Sequence, residues 1–483
     1  MLDVAVLERL RAAAGDEGLI TAPAALRTYA CDGLTGHRVT PAAVVLPLTT
    51  EAVAEVVRTC VAADIPFVAR GAGTGLSGGA LPAADGVVVC LSRMRSILDI
   101  DLDNHQVTVQ PGVTNLEVST AVRPLGYFYA PDPSSQQVCT IGGNVAENSG
   151  GAHCLKYGFT THHVLGATFV TAGGRIARLG GAVRDSAGYD LLGVVIGSEG
   201  TLGIVTEVVL RIVRVPESTQ TVLAAFNSMG DAGEAVSRII AAGITPAAIE
   251  MMDRLAIMAC EQTVHAGYPD CGAALIVELD GPAVETETGL REVIDTCTAS
   301  GAIEIRVAAD DTERALIWKA RKAAFASMGR ISPSYYVQDG VIPRTRLRDV
   351  LEQIDALSAS YGLRVANVFH AGDGNLHPLV LFDDMQEGAG ERALEVAGRI
   401  LEACITAGGS ITGEHGVGSD KACYMPKMFS PSSIDVMGRV RDAFDPHDLC
   451  NPGKALPTPR LCGEVPGMYR PHPVEAAGLA ERM

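Results

Sequence analysis

The sequence has little positive charge, no paired-cysteine motif and no long apolar run, and each shortage excludes a class of function. Lys and Arg number 38 against 56 Asp and Glu, a net charge of −18. A surface of that sign repels phosphate backbones, which argues against a nucleic-acid partner, and it disfavours docking on anionic lipid through bulk charge. No transmembrane segment is expected, because no uninterrupted apolar stretch has spanning length. The longest uncharged stretch, between Lys156 and Arg175, carries His162, His163 and several Thr and Gly. Met1-Leu2-Asp3-Val4 is not a basic start leading into an apolar segment. No secretory signal is therefore expected, and a cytoplasmic location is. The twelve cysteines are scattered from Cys31 to Cys462 without a CxxC pair or a cluster of zinc or iron–sulfur spacing. They read as buried small hydrophobes, and no iron–sulfur cluster of the chain's own is expected.

What is present is a long chain able to bury large cores: 483 residues, 47% hydrophobic and 19% charged. At roughly 100–200 residues per domain, two to four domains are expected. Val4 to Ala14 reads as a helix within a lead-in over 1–40. A βαβ unit follows: a strand at Ala43–Leu46, a helix capped by Thr49 or Thr50 whose Val53, Val56, Val57, Cys60 and Val61 share a face, and a strand at Phe67–Ala69. Further strands are expected at Gly86–Leu91, Gln106–Gln110, Val164–Thr171 and Ile204–Val213. The texture changes at Pro216-Glu217-Ser218. Helices at Ala232–Ala241, Thr286–Ala299, Thr312–Met328 and Arg346–Tyr361 then alternate with strands at Ala273–Glu278, Ile303–Val307, Tyr335–Val337 and Val365–His370. That alternation predicts a sheet covered by helices on one side. The Pro-rich end after Lys454 reads as a surface tail.

Three glycine-rich loops stand out. Arg70-Gly-Ala-Gly-Thr-Gly-Leu-Ser-Gly-Gly-Ala80 directly follows a strand and holds five Gly in eleven residues. Such a loop can turn backbone N–H groups toward an anion without Cβ interference. Gly73-x-Gly75-x-x-Gly78 formally matches a dinucleotide fingerprint, but Gly79, Pro82 and Gly86 leave no helix for it to open. A pyrophosphate cradle and a flexible surface loop are the two readings. The second loop runs from Pro131-Asp132-Pro133-Ser134-Ser135 to Thr140-Ile-Gly-Gly-Asn-Val-Ala-Glu-Asn-Ser-Gly-Gly151. The third is Gly197-Ser-Glu-Gly-Thr-Leu-Gly-Ile204. Three within 135 residues suggest one long ligand held along its length.

In this order the motifs resemble the FAD-binding domain of the vanillyl-alcohol oxidase superfamily, and within it the FAD-linked subunit of glycolate oxidase with its D-lactate and D-2-hydroxyglutarate dehydrogenase relatives. The resemblance runs from about Tyr29 to Glu464. It implies an α+β fold: a two-part FAD-binding domain (41–218, rejoined by 426–456), an α+β substrate or cap domain with a helix-covered sheet (219–425), and a tail over 457–483. It implies FAD contacts at Arg70, Gly71, Gly73, Thr74, Gly75, Leu76 and Ser77, at Asp132, Ser134, Thr140, Gly142, Gly143, Asn144 and Asn148, and at Glu199, Gly200 and Ile204. Some relatives attach the flavin through a His in the first loop; none stands here, so FAD is expected to be non-covalent. Asn451, in Asp445-Pro-His-Asp-Leu-Cys-Asn-Pro-Gly-Lys454, either touches the cofactor or belongs to a capped terminal turn.

In Val368-Phe-His-Ala-Gly-Asp-Gly-Asn-Leu-His-Pro378, Asp373-Gly374 is a hairpin turn signal. As a two-residue turn it would set His370 opposite His377, with Cβ atoms ~4.5–5.5 Å apart, close enough to share a metal ion. Two structural histidines at strand ends fit the spacing equally well. In Gly408-Gly-Ser-Ile-Thr-Gly-Glu-His-Gly-Val-Gly418, Glu414 and His415 are adjacent and would point to opposite faces of a regular strand. Gly413, Gly416 and Gly418 permit an irregular backbone that could aim both at one place. The resemblance implies His370, His377 and Glu414 as ligands of a divalent metal (Zn, Mn or Fe), with the two histidines also facing substrate, and His415 as catalytic base. In Leu316-Ile-Trp-Lys-Ala-Arg-Lys322 the local reading is a helix with solvated basic residues; the resemblance implies that Arg321 binds the substrate carboxylate. Tyr335 and Gln338 lie near further substrate contacts of relatives. Val337 and Leu379 stand where the D-2-hydroxyglutarate enzymes have Lys and Asn, which favours a small or apolar 2-hydroxy acid. His153, His162 and His163 are read as structural.

The expected reaction is oxidation of a D-2-hydroxy acid to its 2-oxo acid, with hydride passing to flavin N5. The resemblance also implies an electron acceptor: a quinone, a cytochrome or an iron–sulfur partner subunit, the last compatible with peripheral membrane association. A homodimer is left open. The alternatives are a flavin oxidase of an alcohol, sugar or phenol, a metallohydrolase, and an FAD-binding electron-transfer or scaffold subunit.

Overall fold

The computed structural model describes residues 2–183 and 188–457; the tail beyond 457 lies outside the described residues. The first half is built on two sheets. Ala43–Val45 and Phe67–Arg70 flank Val87–Cys90 in parallel, and Leu19–Ile20 joins the edge antiparallel. The parallel strands are short runs rich in Val, because the βαβ crossover covers them. Its helix, Thr50–Ala62, is capped by Thr49, which accepts from Ala52 N, and buries Val53, Val56, Val57 and Cys60. The second sheet is antiparallel, in the order Ile97–Asp101, Gln106–Val109, Gly203–Arg211, Val164–Thr171, Ile176–Gly180. The strand expected to run on to Val213 stops at Arg211, and Val213–Arg214 pairs instead with Tyr127–Phe128.

The second half is one large sheet, in the order Glu304–Val307, Ser218–Phe226, Ala273–Gly281, Ala248–Asp253, Arg364–His370, Asn375–Leu376, Gly340–Val341. Ser218–Phe226 begins where the texture changes, and the helix Ala389–Thr406 is a further element that the sequence reading did not place. Helices cover both faces, not one. Phe226, Ile249, Leu275 and Phe369 pack against Val236, Val293, Ile354 and Val396 on one side. Leu223, Met252 and Ile276 pack against Ile257, Ile317 and Trp318 on the other. The physical reason is the unbroken apolar character of strands such as Ala273–Gly281, whose first seven residues are all buried; one-sided sheets alternate.

After the helix Pro431–Phe444 the chain returns to the first sheet. Cys450 bridges Phe67 in parallel, Phe67 N donates to Leu449 O, and Asn451 N donates to Phe67 O. Among the described residues, no helix is long and apolar enough to cross a membrane.

Candidate active site

The strand Arg364–His370 leaves the centre of the large sheet and ends at His370. The expected register is wrong. His370 pairs with Asn375, and Asn367 with Pro378. The connection spans Ala371–Gly374 rather than two residues. Asp373 Oδ1 accepts from Asn375 N, and Gly374 sits at φ 81 with no room for a Cβ beside Ile342 O. In that register His377 lies diagonal to His370 on the same face, within reach of two long side chains. The rings stand 5.1 Å apart at 84°.

Glu414 comes to them from the glycine-flanked loop. Its Oε1 lies 3.2 Å from His370 Nε2 and 3.4 Å from His377 Nε2. The three ligand atoms lie within 4.8 Å of one another, and all three residues are buried. His377 makes no hydrogen bond through either ring nitrogen. With His377 left unpartnered, two imidazoles and a carboxylate this close form a donor set that a divalent ion would satisfy. The His415 ring stacks on that of His377, 4.8 Å away and 4° from parallel, with Nε2 4.0 Å from Glu414 Oε1. Burial holds the His415 imidazole down, at about 4, despite the nearby Asp339 and Glu414 charges. Burial works to raise the Glu414 carboxyl, but the His370, His377 and His415 rings hold it at about 2.

Glu250, which sequence reasoning missed, supports both halves of this cluster. It stands in the strand Ala248–Asp253 and is fully buried. Its Oε1 is 2.6 Å from His370 Nδ1 and its Oε2 2.5 Å from Arg321 Nη2. Arg321, on the helix Asp311–Ser327, is 2% exposed, and its Nε has no hydrogen-bond partner. One turn earlier, Trp318 Nε1 donates to Glu278 Oε2 at 2.6 Å. Asp339, also missed, faces His377 Nε2 at 3.3 Å and forms a second compact group with His377 and His415. A lone Glu in an apolar strand and a Gln-Asp pair at a strand end carry no local signal of such roles; buried acidic residues inside apolar runs were the available hint.

Asp132 is held by His153, Nδ1 at 3.0 Å, and by Lys322 at 3.7 Å. His153 Nε2 reaches Glu278 across to the large sheet at 3.2 Å, and its ring stacks on Trp318. Burial opposes its charge, but Asp132 and Glu278 raise the ring to about 10.

No helix follows the first glycine loop. Gly33 N donates to Gly75 O and Arg70 Nη1 to Cys31 O, so the lead-in lies over it. A Cβ on Gly71 would strike the Thr140 hydroxyl, and one on Gly73 (φ 73) the Arg70 guanidinium. The Ser77 and Thr140 hydroxyls are buried without a partner. Such orphaned groups beside Cβ-free backbone fit a phosphate-bearing ligand. Thr74, Gly75 and Leu76 are half-buried in the same loop. Gly142, Gly143 and Asn144 lie on the short helix Ile141–Glu147, with Asn144 Oδ1 accepting from Asn115. Asn148 Oδ1 accepts from Thr161 N, and Ser134 is exposed. Glu199 and Gly200 adopt left-handed backbone, and Ile204 is buried at a strand start. Asn451 Nδ2 ties Gly79 O to Glu199 O. The glycine loops meet the histidine cluster directly: a Cβ on Gly150 would lie 2.8 Å from Glu414 Oε2.

Comparison with known proteins shows which family the chain resembles. A family model described as an FAD binding domain matches residues 41–180, and one described as FAD linked oxidases, C-terminal domain, matches residues 215–455. The chain is 49% identical to the glycolate oxidase subunit GlcD of Escherichia coli (strain K12), covering 92% of this chain and 89% of that one. It is 34% identical to a D-lactate dehydrogenase of Anaerostipes hadrus, covering 86% and 89%. Its fold is similar to that of 4-ethylphenol oxidase from Gulosibacter chungangensis, with a TM-score of 0.78 over 94% of this chain and 96% of the other at 19% identity.

Proposed function

The chain belongs to the FAD-linked oxidases, and from that premise we propose that it oxidises a small D-2-hydroxy acid, of the glycolate or D-lactate kind, to its 2-oxo acid. The observation that carries the reading is the stacking of His415 on His377 in a cluster that Gly150 of a glycine-rich loop touches. FAD is bound non-covalently by residues of 41–218, with the return segment 426–456 beside them, and residues 219–425 bind substrate. When bound, FAD supplies a hydride acceptor, and a divalent ion (Zn, Mn or Fe) at His370, His377 and Glu414 supplies a Lewis acid for the substrate hydroxyl.

The chain's own groups do the rest. The unpartnered Arg321 Nε offers an N–H to the substrate carboxylate while Glu250 holds the guanidinium in place through Nη2. His415, neutral near pH 7, takes the hydroxyl proton. Val337 and Leu379 are direct cross-strand partners and pack in the apolar cluster of Ile317 and Trp318. Beside the substrate, such side chains would suit a small or apolar substituent and not a second carboxylate. A quinone, a cytochrome or an iron–sulfur partner subunit would serve as the electron acceptor; similarity to a protein described as a subunit supports a partner. The work is done in the cytoplasm, at the membrane if that partner lies there.

Anaerobic addition of D-lactate or glycolate to FAD-reconstituted protein tests the reading. Loss of the yellow flavin absorbance is expected. An unbleached flavin across a panel of D-2-hydroxy acids overturns it.

A further inference from the structure

The stretch Ser410–Gly418 must present Glu414 and His415 to one place, although neighbours on extended backbone point apart. Two buried carboxylates, far apart in sequence, grip its backbone. Asp339, at the edge of the large sheet, accepts at Oδ2 from Thr412 Oγ1 (2.5 Å), Gly413 N (3.0 Å), Glu414 N (3.1 Å) and His415 N (2.8 Å). Three successive N–H groups converging on one oxygen form an anion nest turned inward on the chain's own carboxylate. Lys421 Nζ lies 3.6 Å from the same oxygen.

Glu199, from the third glycine loop in the first half of the chain, grips the next residues. Its Oε1 accepts from Val417 N at 2.7 Å and its Oε2 from Gly418 N at 2.6 Å. Its own backbone is held on both sides: its N–H donates to Ala146 O at 2.8 Å, and its carbonyl accepts from Asn451 Nδ2. Between the two grips stands Gly416 at φ +83, where a Cβ would strike the Glu147 carboxylate. The backbone reverses there, passing from one carboxylate to the other.

We propose that Asp339 and Glu199 are positioning residues: together they shape the 412–418 backbone so that Glu414 reaches His370 and His377 while His415 stacks on His377. Glu199 then serves the catalytic loop through its carboxylate, each oxygen of which accepts a loop N–H. Asp339 acts through Glu414 and His415. This inference rests on the reading of that cluster given above and adds how it is held and which half of the molecule holds each part.

Hydrogen–deuterium exchange on the full-length protein, without added metal or substrate, reads the grips independently of turnover. Asp339→Asn can keep one oxygen on the nest but removes the negative charge that strengthens its hydrogen bonds, and it puts an NH2 where Oδ1 faces Glu414 N and His377 Nε2. It is expected to speed exchange at Gly413, Glu414 and His415 by at least about tenfold while sparing Val417 and Gly418. Glu199→Gln is expected to show the reverse pattern. Zn²⁺ affinity, measured by chelator competition, should fall about 10–100-fold in Asp339→Asn, the usual effect of losing an outer-shell partner. Flavin reduction should slow with a smaller change in KM. If Asp339→Asn does not fold, Asp339→Glu, which keeps the charge but displaces it by one methylene, is expected to speed exchange at the same three amides. Unchanged exchange at 413–415 in a folded Asp339 variant overturns the proposal. So does equal loosening of the whole loop in both variants, or loss of Zn²⁺ binding with the 413–415 amides still protected, which would make Asp339 a direct ligand. A wild-type protein that neither binds Zn²⁺ nor is bleached by a hydroxy acid refutes the proposed function, while the exchange pattern still judges the two grips.

Discussion

Glu250 Oε1 stands 2.6 Å from His370 Nδ1, on the side of the ring turned away from Glu414. A carboxylate there fixes which nitrogen carries the proton and raises the basicity of the other, the arrangement that supports metal-ligating histidines. Burial alone would lower the His370 pKa, but Glu250 and Glu414 together raise it well above the ordinary imidazole value. Glu250→Gln is therefore expected to weaken Zn²⁺ affinity by about 10–100-fold. Chelator competition measures it, and unchanged affinity would show that His370 needs no outer carboxylate.

His415→Ala removes the proposed base but no group that accepts from or donates to the glycine loops through its side chain. Turnover on D-lactate or glycolate should drop by about 10²–10⁴-fold with FAD still bound. Near-normal turnover would take His415 out of that role.

Arg321→Lys keeps the charge and loses the fork. A hydrogen bond to a charged group is worth about 1.5–3 kcal/mol, so the KM for the hydroxy acid should rise about 10–100-fold. Steady-state kinetics and the dissociation constant of a non-reactive 2-oxo acid measure the effect. A rise in neither would place the substrate carboxylate elsewhere.

His153 ties Asp132 to Glu278, and its ring is raised from 6.5 to about 10. The folded protein thus holds this proton more tightly than the unfolded chain does. The stabilisation is complete below about pH 6.5 and is lost as pH rises toward about 10. The melting temperature of wild type should fall over that window, and His153→Phe, which keeps a ring against Trp318 without the charge, should flatten the fall. Parallel pH profiles of the two proteins would remove His153 as the cause.

The elements that the sequence announced are those with local causes. The helix Val4–Ala14 and the strand Val164–Thr171 lie where the pattern placed them, and Thr49 caps as its position suggests. The glycine loops were legible because only closely approached or left-handed backbone demands that many glycines in so few residues. The strand Ala248–Asp253 was not legible, since a short apolar run with a buried Glu does not declare its state, and Ser218–Phe226 was not, since its polar first four residues mask the apolar run that follows.

By itself, then, the sequence determined which chemical groups are available and near which backbone breaks they stand: His370 and His377 about a turn, Glu414 and His415 among glycines, Arg321 on a helix. Only the tertiary structure decided which of them meet. It set His370 against Asn375 instead of His377, buried Glu250 between His370 and Arg321, and drew the 412–418 backbone between Asp339 and Glu199. Helix caps and turns depend on neighbours within a few residues, whereas the pairing of buried charges depends on packing between segments far apart in sequence, from 76 residues for Asp339 and His415 to 218 for Glu199 and Val417. No local pattern records that packing.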